Sequence, residues 1–228
     1  MTMTGRLGLM GGTFDPIHRG HIDAAAAARD RLGLDRVWLL PSRVPPHRTA
    51  QPLASGYHRF AMAALAAQEI EGLEVSDLEL MSAGPSYTVR TLDALRAAGF
   101  APSQLFFIIG SDAFAEIATW FDYPRLLDAA HFVVVSRPGH CHDEVLARTP
   151  ALAGRVRDQR SGGTFSTDAA GTAVILIAAA TANVSSTALR ARLAAGLDVD
   201  DLVPAPVARH IQRHHLYQPS AAAVSLHE

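Results

Sequence analysis

The run Gly11 to His21, GGTFDPIHRGH, restricts this chain more than any other stretch of it. Before it stands Arg6-Leu7-Gly8-Leu9-Met10, which suits a short buried strand, and after it Arg19–Leu32, whose alanines and leucines suit a helix. A strand that turns tightly into a helix offers an anion the unpaired N–H groups and positive dipole end of that helix. Gly11 and Gly12 permit close approaches and backbone conformations that a side chain forbids. His18 and His21 fall on one face of the first helical turn and can donate to the same oxyanion. The motif predicts a phosphate grip made of backbone and two imidazoles.

The rest of the chain repeats the strand-then-helix alternation. Apolar runs at 36–40, 105–109, 132–135 and 174–177 read as strands, the last three as continuous Leu, Phe, Ile and Val suited to the interior of a parallel sheet. Residues 57–71, 88–98, 186–195 and 204–214 read as helices, with Val89, Leu92 and Leu95 on one side of the second and Gly99 ending it. Residues 73–80 alternate apolar and acidic side chains as an exposed strand does, and 42–56 is a proline-rich loop. Residues 139–171 read as a mobile polar excursion. The pattern predicts an α/β fold with a doubly wound parallel sheet and a small helical C-terminal part at 183–217. We expect one domain over 1–217 and a frayed tail at 218–228. Ligands should collect at the carboxyl ends of strands, in the loops after Leu40, Ile109, Val135 and Ile177 and in the first turn.

Composition removes several chemistries. All 20 basic residues are arginines, so a Walker-A loop, a Schiff-base lysine and a nucleotidyl-lysine intermediate are excluded. No GxGxxG follows the first strand, which disfavours a hydride-transfer site. A formal net charge of −2 argues against a nucleic-acid or anionic-membrane surface. No signal-peptide pattern precedes the first strand and no apolar run is long enough to span a bilayer, so a cytoplasmic location is expected. The single cysteine, Cys141, allows no intrachain disulfide. His140-Cys141-His142 with Asp143 offers ligand types side by side in a polar loop without a supporting scaffold, and no protein-held metal site is read from it.

A second phosphate-binding element is legible further on. Ser185, Ser186 and Thr187 begin a helix after an apolar strand, where hydroxyls cap the helix or bind phosphate, and Arg190 is one turn on. With a helix end already offered at residues 18–21, a triphosphate held between two helix N-termini is the better reading. Arg43, His47 and Arg48 put charge on the proline-rich loop, Thr88 opens a helix whose N–H groups could face a carboxylate, and Asp112 either holds a ribose hydroxyl or caps a helix.

GGTFDPIHRGH resembles the (T/H)xGH motif of the nucleotidyltransferase superfamily. With PSRVPPHR, PSYTVRTL, IIGSDAF, Thr119-Trp120, SRPG and VSSTALR, and the closing VPAPVARHIQRHHLY, nearly the whole chain resembles the bacterial nicotinate-nucleotide adenylyltransferases. That resemblance implies a Rossmann-like nucleotidyltransferase fold and attack by nicotinate mononucleotide on the α-phosphorus of ATP, with Mg²⁺ held mainly through the phosphates. It implies His18, His21 and Arg190 as catalytic residues. ATP contacts would come from Gly11, Gly12, Thr13, Phe14, Gly110, Asp112, Ser185, Ser186 and Thr187. Arg43, His47, Thr88, Trp120 and Arg137 would contact the acceptor, Trp120 by stacking on its pyridine ring. Nicotinamide mononucleotide or phosphopantetheine as acceptor, or a noncatalytic nucleotide-binding module, are the competing readings. A homo-oligomer is compatible with all of them.

Overall fold

A computed structural model describes residues 5–45, 51–136, 150–161 and 171–218. In chain order the main elements are β1 (Leu7–Gly12), α1 (Arg19–Leu32), β2 (Arg36–Pro41), α2 (Gly56–Ala67), β3 (Leu73–Val75), α3 (Leu78–Met81) and α4 (Thr88–Ala97). There follow β4 (Leu105–Gly110), α5 (Ser111–Phe114), β5 (His131–Ser136), β6 (Val156–Asp158), β7 (Val174–Ala178), α6 (Ser186–Ala194) and α7 (Ala205–Arg213). The strands form one seven-stranded sheet in the order β3-β2-β1-β4-β5-β7-β6, with every pairing parallel. The chain winds outward from β1 to β3 and then returns to place β4 on the other side of β1. The crevice at this reversal is where a doubly wound sheet binds ligands.

Alternation along each strand fills two core layers. Phe106 and Ile108 of β4 join Ile22, Ala25 and Ala28 of α1, Met62 and Ala66 of α2, and Val207, Ala208 and Ile211 of α7. Leu105, Phe107 and Ile109 of the same strand join Val89, Leu92 and Leu95 of α4 on the opposite face. Burial on both faces is why these strands read as unbroken apolar runs. The C-terminal helices thus share the core of α1 and α2.

Three expectations change. The helix expected over 57–71 stops at Ala67. Of 73–80, only Leu73–Val75 pairs in the sheet, while Leu78–Met81 form a helical turn that buries Glu79. Alternation over so few residues fits one helical turn as well as a strand, and Glu79 can be buried because the Thr91 hydroxyl donates to it at 2.9 Å. The excursion at 139–171 contributes β6 to the sheet edge, docked where Arg155 binds Asp128 at 2.6 Å. A three-residue strand is too short to leave a period in the sequence. The His140-Cys141-His142 group and residues 219–228 lie outside the described residues.

His131, at the start of β5, stacks on Phe106 with centroids 4.7 Å apart, and its Nδ1 accepts the Ala173 N–H at 3.0 Å. Burial pulls its pKa down to about 4, against a smaller opposing hydrogen-bond effect from Ser103. The folded state therefore favours the neutral ring. This contribution is complete above the unfolded pKa of about 6.5 and is lost as pH falls from there to about 4, with a limiting slope of about 1.4 kcal/mol per pH unit. His131→Asn, which keeps an acceptor but does not titrate, should flatten urea-derived stability across that window. An unchanged acid slope would refute the assignment.

Candidate active site

The β1–α1 turn gets its shape from Phe14 more than from its glycines. Gly12 is needed because a Cβ there would stand 2.8 Å from the Phe14 ring, whereas the left-handed backbone falls at Phe14 itself, with φ 51°. Phe14 is buried and presents its ring edge-on to His21, 5.1 Å between centroids. His18 is the N-cap of α1 and stacks on His21 at 3.7 Å. The His18 backbone N–H donates to His21 Nδ1 at 3.3 Å, so a neutral His21 carries its proton on Nε2.

Asp15 anchors this turn from behind. Its carboxylate accepts the N–H groups of Leu53 (2.9 Å) and Ala54 (3.0 Å) and the Tyr217 hydroxyl (2.8 Å). Arg59, 2% exposed, donates to the carbonyls of Thr13 (2.7 Å) and Ala54 (3.2 Å). Burial lowers the Arg59 pKa, with Asp15 partly offsetting it, and burial followed by the Asp15 charge raises that of Tyr217. Asp15, Arg59 and Tyr217 escaped the sequence reading. The one available signal was Asp15 inside the motif, and its partners lie up to 202 residues away.

Gly20 and Asp23 bring the second helix start alongside the first. The Ala182 N–H donates to Asp23 at 2.8 Å, and a Cβ on Gly20 would meet the Ala182 carbonyl at 2.9 Å and His18 Nδ1 at 3.2 Å. Ser185 then caps α6 by accepting from Ala188 N–H at 3.2 Å, and Ser186 donates to the Pro16 carbonyl at 2.9 Å. Arg190 donates to the Asp15 carbonyl (2.7 Å) and to the Thr187 hydroxyl (3.2 Å). Gly20→Ala gains about 1 kcal/mol of helix propensity, but the contact is with a main-chain carbonyl and the 181–185 segment must move, at about 1–3 kcal/mol. A misplaced Ser185–Thr187 should lower kcat/KM for a phosphate-bearing substrate by roughly 10- to 100-fold. Unchanged kinetics in Gly20→Ala would show that this docking does not position the site.

A cavity of about 540 Å³ opens where the sheet reverses. It is lined by Gly11, Gly12, Thr13, Phe14, His18 and His21 with Ser185, Ser186 and Thr187, and the β4–α5 junction adds Gly110 and Asp112. Thr88, Trp120, Glu79, Tyr87 and Phe121 also line it. Trp120 is half-buried, edge-on to Phe107 at 6.1 Å; Tyr87 and Phe121 stack at 4.4 Å under the Arg90 guanidinium. Burial raises the pKa of Glu79. Tyr87, Phe121 and Glu79 were not foreseen from sequence. Arg190 is not in the lining but stands behind Thr187. Nor does Arg43 line the cavity: its guanidinium binds the Ser82 carbonyl at 2.7 Å. His47 and Arg137 lie outside the described residues.

Imidazole, hydroxyl and main-chain N–H donors at the switch point of a doubly wound sheet, in one cavity with aromatic rings, define a nucleotide-binding α/β transferase. Residues 9–192 match the cytidylyltransferase-like family model. The chain is 38% identical over 220 residues to the probable nicotinate-nucleotide adenylyltransferase of Desulfatibacillum aliphaticivorans, covering 93% of this chain and 99% of that one. It is 40% identical to the protein of the same name from Symbiobacterium thermophilum, covering 93% and 95%. Among solved structures, Plasmodium falciparum nicotinic acid mononucleotide adenylyltransferase complexed with NaAD has the same fold, with TM-score 0.66, 18% identity and coverage of 94% and 98%. The chain belongs to the cytidylyltransferase-like family and, within it, to the nicotinate-nucleotide adenylyltransferases.

Proposed function

We propose that this protein transfers the adenylyl group of ATP to nicotinate mononucleotide in the cytoplasm, giving nicotinate adenine dinucleotide and pyrophosphate. The observation that carries this reading is that one cavity is lined by the His18/His21 turn, the Ser185–Thr187 helix start and the rings of Tyr87, Trp120 and Phe121. A phosphate oxygen of the mononucleotide attacks the α-phosphorus of ATP; the new P–O bond forms as the bond to the bridging oxygen of the leaving pyrophosphate breaks. The attacking phosphate is already anionic, so no protein nucleophile is required. Catalysis rests on aligning two polyanions and stabilising the leaving group.

In this scheme His18 and His21 donate to the triphosphate oxygens. Ser186 and Thr187 take the β/γ end, with Arg190 supplying charge through its contact with Thr187. Gly110 and Asp112 receive the adenosine side, while Thr88 and Trp120 hold the acceptor's carboxylate and ring. Mg²⁺ would be held mainly through the phosphates of the nucleotide and would supply charge neutralisation there. The donors around the cavity suit phosphate better than a hard cation, and among the described residues the only cluster of three metal-ligating side chains is a group of histidines outside it.

The test is pyrophosphate release from MgATP with nicotinate mononucleotide, nicotinamide mononucleotide and phosphopantetheine supplied separately. The nicotinate form should be used with the highest kcat/KM. Equal use of the amide would overturn the acceptor assignment, and no release with any acceptor would favour a noncatalytic module.

A further inference from the structure

Three imidazoles converge on the surface where α7 crosses the start of α2, outside the cavity. Helical spacing sets His210 and His214 one turn apart at the end of α7, where the His214 N–H donates to the His210 carbonyl at 3.1 Å. His58 comes from the first turn of α2. His58 Nδ1 lies 3.1 Å from His210 Nε2, and the His214 ring centroid stands 4.4 Å from that of His210 and 4.9 Å from that of His58. One nitrogen of each residue lies within 4.8 Å of the other two.

These distances suit a metal better than a hydrogen-bond network. Two imidazoles can share one proton, but a third gains nothing from the pair, and a proton added to any of them meets two other basic rings. Tetrahedral coordination with metal–nitrogen bonds of about 2.0–2.1 Å puts ligand nitrogens roughly 3.4 Å apart. The His58–His210 edge is already close to that length. His214 is exposed at the helix end, and closing the remaining edges takes a shift of roughly 1 Å by a surface side chain. The nitrogens are held in this arrangement by helix backbones, since His210 and His214 belong to one helical turn and His58 to the first turn of α2. Three imidazole nitrogen donors with room for water at a fourth position match borderline divalent ions, Zn²⁺ foremost, with Co²⁺ and Ni²⁺ related.

We propose that His58, His210 and His214 bind a single divalent transition-metal ion of the Zn²⁺ class, which staples α7 to α2. The staple joins two segments that meet again at Asp15: α2 follows Ala54 and α7 precedes Tyr217, and both of these residues donate to the Asp15 carboxylate. A metal on the outer surface thereby braces the back of the phosphate turn without entering it.

The test uses the tag-free, full-length, metal-stripped protein titrated with Co²⁺, whose visible absorption reports nitrogen coordination, then with Zn²⁺ in competition, while thermal unfolding is followed. One Co²⁺ per chain should bind and be displaced by Zn²⁺, and Zn²⁺ should raise the midpoint of unfolding. His214→Ala and His210→Ala should each weaken binding by at least 10- to 100-fold and remove that rise, since loss of a ligand costs no less than loss of its supporting partner. The neighbouring His215→Ala should bind as the parent does. So should His21→Ala, which separates this site from the imidazoles of the cavity. Absence of uptake, uptake that survives both His214→Ala and His210→Ala, or uptake abolished by His21→Ala would overturn the proposal.

Discussion

His21→Ala is expected to lower kcat for pyrophosphate release by a factor on the order of 10²–10³, the usual loss when one preorganised donor to developing charge is removed. The ring is oriented on three sides: His18 stacks on it at 3.7 Å, the Phe14 edge meets it at 5.1 Å, and the His18 N–H occupies Nδ1 at 3.3 Å. That constraint makes it a donor fixed before the substrate arrives. Stability should fall modestly. The variant forfeits a hydrogen bond of about 0.5–1.5 kcal/mol and the ring contacts with His18 and Phe14, against a gain of up to about 0.7 kcal/mol of helix propensity. His18→Ala should show a similar kinetic loss with a larger stability cost, because its ring is 5% exposed and fills space against Gly20. Steady-state kinetics with a thermal melt on the same samples separates these effects. Turnover within a few-fold of the parent in either variant would remove that histidine from the mechanism.

Asp15→Ala is expected to destabilise the protein by about 3–5 kcal/mol, the cost of removing one partner from a buried charged network. Asp15 is 3% exposed, and its loss leaves two backbone N–H groups and the Tyr217 hydroxyl without an acceptor, beside a nearly buried Arg59. Against a total stability of about 5–15 kcal/mol this is a large fraction, and at about 2–4 °C per kcal/mol it lowers the midpoint by roughly 6–20 °C. Asp15→Asn keeps the shape and one acceptor oxygen and should lose clearly less. The contact to Arg190 uses the main-chain carbonyl, so it remains available in both variants. Urea unfolding would reject this account if Asp15→Ala lay within about 1 kcal/mol of the parent.

Legibility followed the length and locality of each signal. Arg19–Leu32 emerged with the expected bounds because the capping His18, the alanine-rich body and the left-handed Gly33 all act within the helix itself. The interior strands were legible because burial on both faces demands an unbroken apolar run. Residues 73–80 misled because so short an alternation of acidic and apolar residues is consistent with either period until Thr91, twelve residues beyond Glu79, is known to face it. That His18, His21 and Ser185–Thr187 stand at helix starts beside the cavity was readable from helix-end chemistry. That Arg43 would bind the Ser82 carbonyl instead of lining the cavity was not, because loop closure decides it.

GGTFDPIHRGH by itself determined a strand-to-helix turn with two imidazoles on one face, since glycine, proline and histidine carry their constraints in their own covalent structure. Only the tertiary structure decided that the left-handed residue is Phe14, that Asp15 is a buried anchor for Arg59 and Tyr217, and that Gly20 admits the Ala182 carbonyl so that two helix starts share one cavity. It likewise brought His58 to within 3.1 Å of a histidine 152 residues away. Such contacts depend on how the two core layers close over the sheet, and that packing leaves no mark at the spacing of any local sequence period.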